Sequence, residues 1–143
     1  MKNNKGFTLV ETLAVLVILA IMAAVAVPSM VGYIDSAKEK VYISEASTVS
    51  TAIQTYLMEE YARKGELDTF EFYAEIMTTD LGQPGCPLND YLSGGYTEGA
   101  KIQELYLSDN YVPCRFVGIK YVVKGYAIEL RVGKEPEVEK ISP

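Results

Sequence analysis

Histidine and tryptophan are absent from this 143-residue chain, cysteine occurs twice, and no charged residue lies between Glu11 and Asp35. Without histidine there is no Ser-His-Asp or Cys-His nucleophilic pair, no His-ligated zinc and no imidazole proton shuttle. Two thiols are too few for an all-thiolate zinc site, which takes four. Positive charge is also scarce. A formal charge of −6 and an isoelectric point near 4.7 oppose broad nucleic-acid binding, which needs a basic surface to displace counterions. These absences argue against an enzyme and leave no expected metal or cofactor.

What is present divides unevenly. The 23 positions from 12 to 34 are uncharged, and the remaining 120 hold every Lys, Arg, Asp and Glu. The chain is therefore an apolar rod followed by a polar head of about 109 residues, enough for one modest core. At 1.5 Å per residue the uncharged run reaches roughly 34 Å, enough to cross a bilayer with some tilt. Lys2 and Lys5 precede it, so the positive-inside rule places the head on the extracytoplasmic side.

The basic start and apolar run also fit an ordinary secretory signal, cut near Ala23, Ala24 or Ala26. Two features point elsewhere. A small residue, Gly6, stands before the apolar stretch, where a cut would leave the helix on the mature chain. Glu11 opens that stretch, where a carboxylate costs up to on the order of 2.5–3.5 kcal/mol, less near an end. Either the helix N-terminal dipole favours it at the interface, or it awaits a cation from another chain.

The run Gly6-Phe7-Thr8-Leu9-Val10-Glu11, the short basic leader before it and Pro28 within the apolar helix together resemble the type IV pilin and pseudopilin family. The likeness covers about residues 1–62 and is only architectural beyond them. It implies that a membrane prepilin peptidase cuts between Gly6 and Phe7 and N-methylates the Phe7 amine. It also implies that Glu11 pairs with a neighbour's Phe7 amine as an assembly platform protein builds a homo-oligomeric filament. Loss of the leader (1–6) leaves 11 basic and 19 acidic side chains, a formal −8. Thr12 replaces an aliphatic residue common in the family. No glycine lies between Phe7 and Pro28, alanines 14, 20, 23, 24 and 26 taking the small-residue places. Pro28, which has no N–H, is expected to interrupt the helical ladder.

The expected fold is α+β and type IV pilin-like, one long helix packed on an antiparallel sheet of three to four strands. Residues 7–34 form the transmembrane and filament-core helix, and residues 35–143 the head. The head comprises the amphipathic half-helix 35–64, an αβ loop over 65–99 and a sheet over 100–143. Ile34, Ala37, Val41, Val49, Ala52, Ile53, Tyr56 and Leu57 mark the expected buried stripe, with Lys64-Gly65 as the stop. Leu67, Phe70, Ala74 and Met77 suggest a short second helix capped by Asp68 or Thr69. Five Gly and two Pro over 82–99 predict an irregular loop. Strands are expected at Lys101–Leu107 and Arg115–Val123, with Val117, Ile119, Tyr121 and Val123 inward. A turn at Lys124-Gly125 leads into Tyr126, Ile128, Leu130 and Val132 inward, with Glu129 and Arg131 outward.

Cys86 and Cys114 are either two reduced buried thiols or a disulfide closing about 29 residues, worth roughly 3–4 kcal/mol by chain entropy. Residues 59–80 carry seven acids and two bases, and 115–134 five bases and one acid. These are solvated faces, surfaces that meet between subunits, or a basic hairpin for an anionic partner; no motif supports nucleic acid. Eleven tyrosines are core-edge and interface material rather than an electron path. Asn89-Asp90 and Asp109-Asn110 lack calcium-loop spacing and read as turns. The expected function is a structural pilus subunit, in the membrane before assembly and extracellular afterwards, serving adhesion, motility or aggregation. The alternative is a pseudopilin of type II secretion or competence.

Overall fold

The computed structural model describes residues 7–65, 69–78, 80–92, 94–108 and 115–141. Among these residues two helices precede four strands: α1 (Leu9–Lys64), α2 (Thr69–Thr78), β1 (Lys101–Ser108), β2 (Arg115–Val123), β3 (Tyr126–Arg131) and β4 (Glu137–Lys140). The strands form one antiparallel sheet in the order β1-β2-β3-β4, so the α+β arrangement of long helix and sheet is met. The chain forms two compact units, residues 1–38 and 39–143.

In the first unit, every large apolar side chain from Leu9 to Ile34 is at least half exposed. No residue of its most apolar 18-residue window is buried. This is the only helix among the described residues long and apolar enough to cross a membrane. α1 runs through Pro28, so the expected interruption is confined to the missing donor.

The second unit holds the core. Tyr42, Ala46, Val49, Ile53 and Leu57, spaced by four, three, four and four, form the buried stripe of α1. The expected stripe is corrected at its start: Ile34, Ala37 and Val41 are exposed, because the row leading into Val49 passes through Ala46 and Tyr42. Ile119, Tyr121, Val123 and Ile128 meet it from the sheet. The Tyr42 and Tyr126 rings lie 5.2 Å apart.

Two irregularities in the β1–β2 ladder, between Ile102 and Glu104 and between Tyr106 and Leu107, alter the expected alternation. Tyr106 pairs with Gly118 but Leu107 with Phe116, so Val117 drops out of step and Phe116 takes the buried place assigned to it. Val132 is exposed rather than inward, since β3 ends at Arg131. α2 also turns a different face inward. Phe72 and Ile76 are buried and Phe72 stacks on Tyr56, whereas Phe70 is 82% exposed. Leu67 lies outside the described residues.

The glycine-rich segment is irregular, as expected, yet it feeds the core with Leu81, Cys86, Leu88, Leu92 and Ala100. Asn89 performs the expected turn chemistry. Its carbonyl accepts from the Gly82 N–H at 3.1 Å, and its amide donates to the Gln83 carbonyl at 2.8 Å. Asp109-Asn110 falls outside the described residues.

Candidate functional site

The N-terminal residues build a local site before any partner is considered. Thr8 caps α1, and Glu11 lies three residues on, the spacing of a capping box. The Thr8 N–H and the Thr8 hydroxyl both donate to Glu11 Oε2, each at 3.1 Å. The Glu11 N–H donates back to Thr8 Oγ1 at 3.3 Å. The pattern Thr-x-x-Glu announces this box in the sequence; reading Glu11 only as a charge overlooks it. Phe7 precedes the helix and is 86% exposed. Gly6 and the rest of the leader lie outside the described residues. The apolar surface that follows, with Leu13, Leu16, Leu19 and Met22 each more than half exposed, is far larger than a stable aqueous protein leaves uncovered.

Among its described residues the head offers no comparable cluster of polar groups at a helix start. Its best-connected polar group is the half-buried Glu45 carboxylate on α1. Oε2 accepts from the Thr97 N–H at 3.1 Å and the Tyr121 hydroxyl at 3.0 Å, while Oε1 accepts from the Thr97 hydroxyl at 2.7 Å. Burial and this bond push the Tyr121 phenol well above its ordinary value. Two other tyrosines tie the αβ segment to α1. Tyr56 donates to Glu75 at 2.9 Å and Tyr91 to Glu59 at 2.6 Å. Burial, then the Glu75 bond, raise the Tyr56 phenol; the Glu59 bond, then burial, raise that of Tyr91.

The acidic stretch is thus largely engaged. Glu60 binds Arg63 at 2.6 Å and Lys64 at 3.1 Å, which holds its carboxyl below the usual range, and Asp80 meets Lys101 at 3.2 Å. On the outer sheet face, Arg131 pairs with Glu129 and lies 4.1 Å above the Tyr106 ring. Register places Lys120 between Glu104 and Glu129. These contacts favour solvated, internally compensated faces over an open basic surface. No group of three metal-ligating side chains occurs among the described residues. Cys86 is buried, while Cys114, its expected partner, lies outside the described residues.

Comparison with known proteins converges on the N-terminus. A family model for the prokaryotic N-terminal methylation motif matches residues 1–27. Type IV major fimbrial protein FimA of Dichelobacter nodosus is 40% identical over 56 residues, 39% of this chain and 36% of that protein. A fimbrial protein of Pseudomonas aeruginosa is 37% identical over 59 residues, 41% of this chain and 38% of its own length. Type II secretion system core protein G of the same species is 34% identical over 61 residues, 43% of each chain. The chain thus spans well under half the length of these relatives. No solved structure matches it significantly. The N-terminal part of the chain thus carries the prokaryotic N-terminal methylation motif and is similar there to type IV fimbrial proteins and to a type II secretion core protein.

Proposed function

We propose that this chain is a structural subunit of a type IV pilus. It is held in the membrane by its apolar helix, trimmed between Gly6 and Phe7 by a prepilin peptidase, methylated at Phe7 and polymerised through that helix. The observation that carries the reading is the uncovered apolar surface of α1, which opens with a carboxylate. Lipid covers such a surface in the precursor, and neighbouring helices cover it in a filament. A carboxylate among apolar helices is costly until a cation meets it, and the Phe7 amine of the next subunit supplies one. The head has no role in catalysis; it presents the outer surface of the filament, with Cys86 and Cys114 joined in a disulfide.

A second reading, a pseudopilin that forms a short fibre within the envelope, draws on the likeness to core protein G. Electron microscopy of sheared cell fractions, labelled with an antibody to the head, separates the two. Long surface filaments rich in this chain support the pilus, and label confined to the envelope supports the pseudopilin. Glu11→Val is expected to insert into the membrane normally and to abolish filaments; normal filaments would remove the charge-pairing argument.

A further inference from the structure

The start of the head and one end of its sheet come together around two tyrosines. The Tyr42 ring on α1 meets Tyr126 at 5.2 Å, and the Lys140 ammonium lies 5.6 Å from the centre of the Tyr126 ring. The Ile141 N–H donates to the Gly125 carbonyl at 2.9 Å, which ties the end of β4 to the tip of the β2–β3 hairpin. Lys124 stands exposed at that tip, and Lys40 is exposed two residues before Tyr42. Three cations therefore gather at one end of an acidic chain. Of the carboxylates near them, Glu39 is half-buried and Glu45 is taken by Thr97 and Tyr121. Glu139 alternates to the sheet face opposite Lys140.

Lys124 holds its place against the preference of its own turn. Its φ is +42°, left-handed backbone that Asn or Gly adopts at lower cost in a two-residue hairpin. Among the described residues no ion pair engages its ammonium. A cation kept at a strained position, without a partner in its own head, points outward.

We infer that Lys40, Lys124 and Lys140 form a docking surface for anionic lipid headgroups, on which the head rests before assembly. This rests on the reading of the apolar helix as a membrane anchor. Tyr42 comes eight residues after Ile34, the last of the uncharged run, a span of roughly 12 Å at helical rise. Chain connectivity thus delivers this end of the head to the bilayer surface, near the reach of charge attraction in moderate salt, about 10 Å. The distribution of charge agrees. The far end of α1 gathers Glu59, Glu60, Glu71 and Glu75 against Arg63 and Lys64, a surface that anionic lipid repels.

The test places the full chain in lipid nanodiscs, one chain to a disc, made of phosphatidylcholine alone or mixed with phosphatidylglycerol. Lysines are acylated briefly with an uncharged reagent, and mass spectrometry reads the modification at each. Lys134, exposed beyond the opposite end of β3, is the internal reference. In the anionic discs, acylation of Lys40, Lys124 and Lys140 should fall at least about fivefold relative to Lys134, the scale of one lysine's attraction to such a surface. Added salt should restore it. Lys124→Asn should raise the Tm of the head by relieving the turn, yet weaken the protection of Lys40 and Lys140. Equal acylation in the two lipids would overturn the inference. So would an equal fall at Lys134, or protection that survives Lys124→Asn unchanged. A chain that washes out of the discs overturns the anchor reading, and the inference with it; a chain that stays without lipid-dependent protection overturns the inference alone.

Discussion

Replacing Glu45 with alanine should be the most damaging single polar substitution in the head. The carboxylate gathers three donors from positions 52 and 76 residues away, joining α1, the glycine-rich segment and β2. Its removal strands the hydroxyl of Tyr121, a residue with 0% exposure, where water cannot readily replace the lost acceptor. A hydrogen bond to a charged group contributes about 1.5–3 kcal/mol, and an unsatisfied buried donor costs about 1–3 kcal/mol. Thr97 is only half-buried and regains water in part, so the total should be about 3 kcal/mol. Tyr121→Phe removes one bond of the three, keeps the ring and leaves both Thr97 donors on the carboxylate, and should cost about 1.5 kcal/mol. In a domain of this size these losses correspond to Tm decreases of roughly 12–24 °C and half that. Urea or thermal unfolding of the full chain in detergent micelles, followed by near-ultraviolet circular dichroism of the tyrosines, reports on the head. A Glu45→Ala chain within about 0.5 kcal/mol of wild type would refute the assignment. So would a larger loss from Tyr121→Phe than from Glu45→Ala.

The head should also fail in alkali. Tyr56, Tyr91, Tyr106 and Tyr121 all have phenols raised in the folded state, so their contribution is complete below the ordinary tyrosine value of about 10 and is lost as pH climbs through the folded values. The last part of the rise in tyrosinate absorbance should coincide with loss of near-ultraviolet ellipticity, and full ionisation of the tyrosines with the ellipticity retained would contradict this. Gly118→Ala should destabilise the sheet by about 1–3 kcal/mol, because a methyl group there would collide with the Leu130 backbone carbonyl, as urea unfolding would show. Phe72→Ala should cost about 3 kcal/mol, whereas Phe70→Ala should stay within about 0.5 kcal/mol, which the same titration distinguishes by the burial of the two rings.

The parts most legible in the sequence were those carried by a long or regular signal. The uncharged run, the Gly6-to-Glu11 motif and the alternating strands around Lys124-Gly125 all announce themselves within a short window. What stayed hidden depends on partners distant in the chain. Val117 was expected inward because alternation has a period of two, and a bulge seen only in the pairing with β1 shifts it. Phe70 and Phe72 look alike in sequence, and Tyr56, sixteen residues before Phe72, selects the second. β4 is four residues long, too short for periodicity to reveal. Gly-Pro content correctly marked 82–99 as irregular but gave no sign that Leu88 and Leu92 fill the core. The capping box is the opposite case: its spacing was in plain view, and only attention to the charge of Glu11 concealed its partner, Thr8.

The claim on which the account turns is that the apolar helix is retained on the mature chain and begins at Phe7. Mass spectrometry of the N-terminal peptide, taken from protein purified out of membranes and sheared fractions, tests it most directly. The account predicts a chain that starts at Phe7 with one methyl group on its amine. A start near Ala24, or an intact leader in the sheared fraction, would contradict it.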